Sequence, residues 1–178
     1  MAEAFRAEWS SRYGDLPPMG WVLRHDTSLH WVRFHSLPAS KRYADTDEEM
    51  EIILDRGNQL GNEVLGRMSD CWIVHARRDC ETKAGAFSGD WEEEPGVDDA
   101  AIWRFFVKKR RWIAGKFDKE LEELADDAPF YTTWFNPKSG KVFAPYDGGF
   151  DLFVSSAREV TRLKRRYRSW LSDLESGL

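Results

Sequence analysis

Apolar residues recur at helical spacing in several stretches of the chain and crowd into strand-like runs between them. Phe5, Trp9 and Tyr13 repeat every fourth residue, which puts three aromatics on one face of a short helix that Gly14 and the Pro17-Pro18 pair must end. Met50, Ile53, Leu54, Leu60, Val64 and Leu65 keep helical spacing behind Thr46-Asp-Glu-Glu49. That tetrad is a capping box, in which the Thr oxygen accepts from a free helix amide and Glu49 bonds back, with Gly66 as the C-terminal stop. A shorter acidic helix is expected over Asp118 to Asp127, with Asp118 as N-cap and Leu121, Leu124 and Ala125 facing inward. Ser156-Ala-Arg-Glu159 is a second capping box, and Val160, Leu163, Tyr167, Trp170, Leu171 and Leu174 share one face of a closing helix.

The remaining runs read as strands. Trp21 to His25 and Trp31 to His35 are separated by a linker short enough for an antiparallel hairpin, and Cys71 to His75 is a short buried strand. Ile102 to Val107 and Arg111 to Ala114, joined by Lys108-Lys-Arg110, form either a hairpin or one bent strand. Phe130 to Phe135, Lys141 to Ala144 and Phe150 to Val154 make a meander, turned at Asn136-Pro-Lys-Ser-Gly140 and at Asp147-Gly148. Residues 79–99 carry Gly and a dense set of carboxylates, and they are expected to be an acidic, disordered loop inserted in one domain spanning 1–178. The pattern predicts an α+β fold, a mainly antiparallel sheet packed by N-terminal, central and C-terminal helices.

Nine Trp and eleven Phe supply ample apolar surface for a core. The net charge of −5 speaks against a protein that coats nucleic acid through its overall field, so nucleic acid is not an expected partner. The two cysteines, Cys71 and Cys80, have no partner set at zinc spacing, and no metal or cofactor is expected. No apolar run is long enough for a membrane span and the N-terminus lacks a signal-peptide core, so a cytoplasmic protein is expected.

Arg33-Phe-His-Ser-Leu-Pro-Ala-Ser-Lys-Arg-Tyr43 and Pro145-Tyr-Asp-Gly-Gly-Phe-Asp151, followed by Ser169-Trp-Leu-Ser172, resemble an uncharacterised bacterial family, a domain of unknown function. The resemblance covers most of the chain in outline. It implies a strand, an Arg/Tyr-containing loop and helix, and a Tyr-Asp hairpin leading into a Trp-containing C-terminal helix. The hairpin departs from the family pattern in the position of its Gly and lacks an Arg present in some relatives, and no catalytic role is carried over.

No recognised catalytic motif occurs, so candidate chemistry rests on residue types. His25 and His35 would share one face of the first hairpin if residue 25 paired with residue 31, and Asp147 or Asp151 could complete a metal or acid–base set. Ser40, Lys41, Arg42 and Tyr43 form a cationic loop before a helix N-terminus, a place that suits a small anion or acidic peptide. The competing expectation is that Arg42 pairs with Asp45, Asp47 or Glu48. Arg158, Arg162, Lys164, Arg165, Arg166 and Arg168 give the last helix a basic outer face, read as solvated. The leading expectation is a non-enzymatic binding or protein-interaction domain with a protein partner. The alternative is an enzyme acting on a phosphorylated or nucleotide-like ligand, with His35 or Asp147 moving a proton.

Overall fold

The computed structural model describes residues 1–78, 85–93 and 101–172. Helix α1 (Ala2–Tyr13) and the single turn α2 (Gly20–Leu23) precede strand β1 (His30–His35) and the long helix α3 (Asp47–Leu65). Strands β2 (Asp70–Arg78), β3 (Ala86–Glu92) and β4 (Ile102–Arg111) follow, then α4 (Asp118–Ala125), strands β5 (Phe130–Asn136), β6 (Lys141–Tyr146) and β7 (Gly149–Val154), and helix α5 (Ala157–Arg166). The strands form one antiparallel sheet in the order β1-β7-β6-β5-β2-β4-β3.

Strand alternation divides the core between the two faces of this sheet. Along β2, Cys71 and Ile73 point toward α3, α4 and α5, where Ile53, Leu60, Leu121 and Leu163 meet Trp134, Phe143 and Phe150. Trp72 and Val74 point the other way, against Phe5, Trp9 and Tyr13 of α1 and against Met19 and Leu23. Burial on both faces explains why β2 reads as an uninterrupted apolar run. It also pushes the Cys71 thiol up to about 12, helped by the nearby Asp70 carboxylate. Cys71 is therefore expected to resist alkylation by iodoacetamide at pH 8 in the folded chain and to react after denaturation, as read by peptide mass mapping.

The α+β class, the three aromatics of α1, the meander β5-β6-β7 and both capping threonine and serine side chains match the sequence pattern. Thr46 Oγ1 accepts from the Glu49 amide and Ser156 Oγ from the Glu159 amide, each at 3.3 Å. The return bonds fall one residue earlier than a capping box requires, since Glu49 accepts from the Asp45 amide and Glu159 from the Ser155 amide.

Four expectations are corrected. Residues 21–25 are not a strand: Met19 and Leu23, four apart and both fully buried, demand a helical turn, and the Leu23 amide donates to Met19 O at 3.0 Å. β1 pairs with β7 instead, so no first hairpin brings His25 beside His35, and His25 is exposed. Of the two alternatives open for Ile102 to Ala114, the single strand holds, as far as Arg111, because Lys108, Lys109 and Arg110 pair with Ile73, Trp72 and Cys71 rather than turning. The segment 79–99 includes strand β3, whose Phe87 and Trp91 sit opposite Phe106 and Trp103; residues 79–84 and 94–99 of that expected loop lie outside the described residues. Asp118 is not the cap of α4, a position held by Phe117, and it accepts instead from Asn58 Nδ2 at 2.8 Å.

Candidate ligand pocket

The sheet comes apart at one place. β5 and β6 pair only through Trp134 with Phe143, Phe135 with Val142 and Asn136 with Lys141. Beyond that point Phe130 to Thr133 stay on β2, while Ala144, Pro145 and Tyr146 stay on β7. Pro145 lacks a backbone N–H and is poorly tolerated in a central strand, and it stands where β6 has lost one neighbour.

A cavity of about 370 Å³ opens at this split. Tyr131, Thr132 and Thr133 line it from β5, and Ala144 to Gly148 with Asp151 line it from β6, the turn and β7. Gly20, Trp21 and Arg24 of the α2 region close one side, and His35, Ser40 and Arg42 close another. Gly20 is required for this closure, because a Cβ there would stand 2.7 Å from Ala144 Cβ. Gly148, at φ 106, makes the two-residue turn and leaves the Asp147 side chain beside Arg42 and Tyr43.

The cavity's carboxylates are both engaged. Arg33 donates to Asp151 from Nε at 2.9 Å and from Nη2 at 3.2 Å, and Trp31 Nε1 donates to the same carboxylate at 3.0 Å. Asp151 is 2% exposed and Arg33 9%. Burial pushes the Asp151 carboxyl above its ordinary value, against the opposing pull of Arg33. The Arg33 guanidinium also lies 4.7 Å from the centre of the Tyr146 ring, whose phenol is likewise raised, chiefly by burial. Arg42 Nε donates to Asp147 Oδ2 at 2.6 Å, and the Tyr43 hydroxyl donates to the same oxygen at 2.9 Å.

Three lining groups are differently placed. The Arg24 guanidinium has no hydrogen bond or ion pair among the described residues, although its charge pulls the Asp151 carboxyl down. Trp21 Nε1 and Thr133 Oγ1 are buried polar atoms with no hydrogen-bond partner among the described residues. Buried polar groups of this kind are usually paired, and these two belong to residues of the cavity wall.

His35, Arg42, Asp147 and Asp151, which the sequence singled out, thus share one cavity. Lys41 does not join them: its ammonium is bound to Glu49 at 2.6 Å and to Asp45 at 2.8 Å, at the start of α3. Tyr43 reaches the cavity only through Asp147. Arg42 pairs across the sheet edge rather than with Asp45, Asp47 or Glu48. Trp21, Arg24, Tyr131, Thr133 and Tyr146 escaped sequence reasoning; Pro145 within a strand-like run was the one sign of the gap they surround. Among the described residues no group of three or more His, Cys, Asp or Glu side chains is placed to hold a metal ion.

Fold and cavity together define an α+β protein with a ligand-sized pocket at a gap in its antiparallel sheet. A family described as a domain of unknown function, DUF3885, matches residues 19–175, and the chain belongs to that family. The stretches that carried the resemblance meet in the structure, because Arg33 and His35 pair with Asp151 and Gly149 across β1 and β7. No curated protein and no solved structure matches the chain. No helix among the described residues is long and apolar enough to cross a membrane.

Proposed function

We propose that this chain is a non-catalytic binding domain whose pocket takes a small anionic molecule with a flat ring, of the phosphorylated or nucleotide-like class. The observation that carries the reading is the guanidinium of Arg24, which makes no ion pair among the described residues, in a cavity at the gap between β5 and β6. Trp21, Tyr131 and Tyr146 offer ring faces for a planar group. A volume of about 370 Å³ fits a ligand of that size. Binding is favoured over catalysis because Asp147 and Asp151 are each tied to a guanidinium and a second donor, leaving neither carboxylate poised as a general base. A cytoplasmic location accords with a buried free thiol at Cys71.

The test is native mass spectrometry of the purified chain, followed by titration with nucleoside monophosphates and sugar phosphates under isothermal calorimetry. A retained anion is expected, and Arg24→Ala is expected to weaken it about tenfold or more by removing a charge-assisted hydrogen bond. No retained anion and no heat from either class would overturn the reading. A protein partner captured in its place, with affinity indifferent to Arg24→Ala, would put protein interaction in its stead.

A further inference from the structure

A second cavity, of about 340 Å³, lies on the α4 side of the sheet. Its wall carries Lys108, Lys116, Lys119 and Arg77 around His75 and Glu120, with Glu123 as the other carboxylate. Cations therefore outnumber carboxylates four to two in a chain whose net charge is −5. The local sign is opposite to that of the whole molecule. None of the three lysines makes an ion pair among the described residues. The Arg77 guanidinium lies over the Phe130 ring, 4.7 Å from its centre, which fixes one wall.

Two further features sit at the same place. Lys116 and Phe117 lead into α4 and Lys119 and Glu120 lie in its first turn, and Phe117, its N-cap, offers no side-chain oxygen to the first helix amides. Asp118, the nearest candidate for that task, is turned to Asn58. Helix amides left without a cap favour an anion, and the helix dipole adds to them. Beside them His75 is 4% exposed, with Nε2 held by Glu120 Oε1 at 2.6 Å. Its other ring nitrogen, Nδ1, is buried without a hydrogen-bond partner among the described residues. An unmet ring nitrogen of this kind is uncommon in a folded interior, and it belongs to a residue of the cavity wall, independent of the helix end.

We infer that this cavity is a second binding site, for a phosphate group, held by Lys108, Lys116, Lys119 and the first turn of α4. The site does not depend on the pocket between β5 and β6, which is lined by other residues except for its shared neighbour strand β5. Both free phosphate and a small phosphate monoester present the chemistry it recognises. Nothing in it reads a base or a sugar, so the phosphate itself is the determinant.

The experiment is a ¹⁵N-resolved NMR titration of the full chain with inorganic phosphate, and separately with glycerol 3-phosphate, at ionic strength held constant with chloride. Saturable shifts are expected at residues 118–120 and at His75 with both probes. A larger response to the ester would assign the site to monoesters, and equal responses to phosphate itself. Lys116→Ala with Lys119→Ala, both exposed and so compatible with folding, is expected to weaken binding about tenfold. Shifts confined to Trp21 and Arg24 would report the other pocket and overturn this inference. So would shifts spread evenly over exposed Arg158 and Arg165, or an affinity the double substitution leaves unchanged.

Discussion

Asp151→Ala is expected to cost about 3–5 kcal/mol of folding stability, because it strands the buried Arg33 guanidinium without its carboxylate. Trp31 Nε1 loses its acceptor in the same step. Urea unfolding at pH 7 measures the loss. The effect belongs to the unpaired charge rather than to the carboxylate as such, which a double replacement separates. Arg33→Met with Asp151→Leu removes both charges and fills similar volume, and it is expected to hold most of the parent stability. If Asp151→Ala proved as stable as the parent, the pair would have no structural role and the back wall of the pocket would need another account.

Trp112→Ala is expected to be comparably damaging, about 3–5 kcal/mol, as the cost of emptying a fully buried indole site. Trp112 leaves the sheet just after β4 and stacks on Phe117 with ring centres 5.5 Å apart, while Trp134 and Phe143 meet it edge-on. Gly61 of α3 makes room for it: a Cβ at that position would lie 2.1 Å from Trp112 Cζ2. Gly61→Ala alone is therefore expected to destabilise by about 1–3 kcal/mol through overpacking. In the Trp112→Ala background the clash is gone, and the same alanine should be neutral or stabilising by up to about 1 kcal/mol from helix propensity. Chemical denaturation of the four proteins of this cycle decides the matter. Equal cost of Gly61→Ala in both backgrounds would show that the indole contact is not its cause.

What could be read from the sequence follows from the range over which each residue acts. Phe5, Trp9 and Tyr13 declare a helix because their spacing alone buries them together, and Asp147-Gly148 declares a turn because backbone geometry decides it. Trp21, Val22 and Leu23 mislead for the opposite reason: their types favour a strand, and only the burial of Met19 and Leu23 against a distant strand makes them helical. Lys108, Lys109 and Arg110 look like a turn because charge usually marks one, yet they continue β4 alongside Ile73, Trp72 and Cys71 of β2. The site divides similarly. His35, Arg42, Asp147 and Asp151 stood out by chemistry, but that they converge depends on β1 docking on β7. Arg24 and Thr133 had no feature in the sequence to distinguish them, since their importance comes from a gap between strands that no local pattern encodes.

Three residue pairs are all that stitch β6 to β5, and so the backbone ladder divides the seven strands into a panel of three and a panel of four. A molecule seated between the panels touches both and serves as a crossbar. Its free energy of binding then becomes part of the free energy of folding, about 2.7 kcal/mol when it is present at a hundred times its dissociation constant. On that footing, the amount of intact protein in a cell would follow the supply of whatever fills the gap.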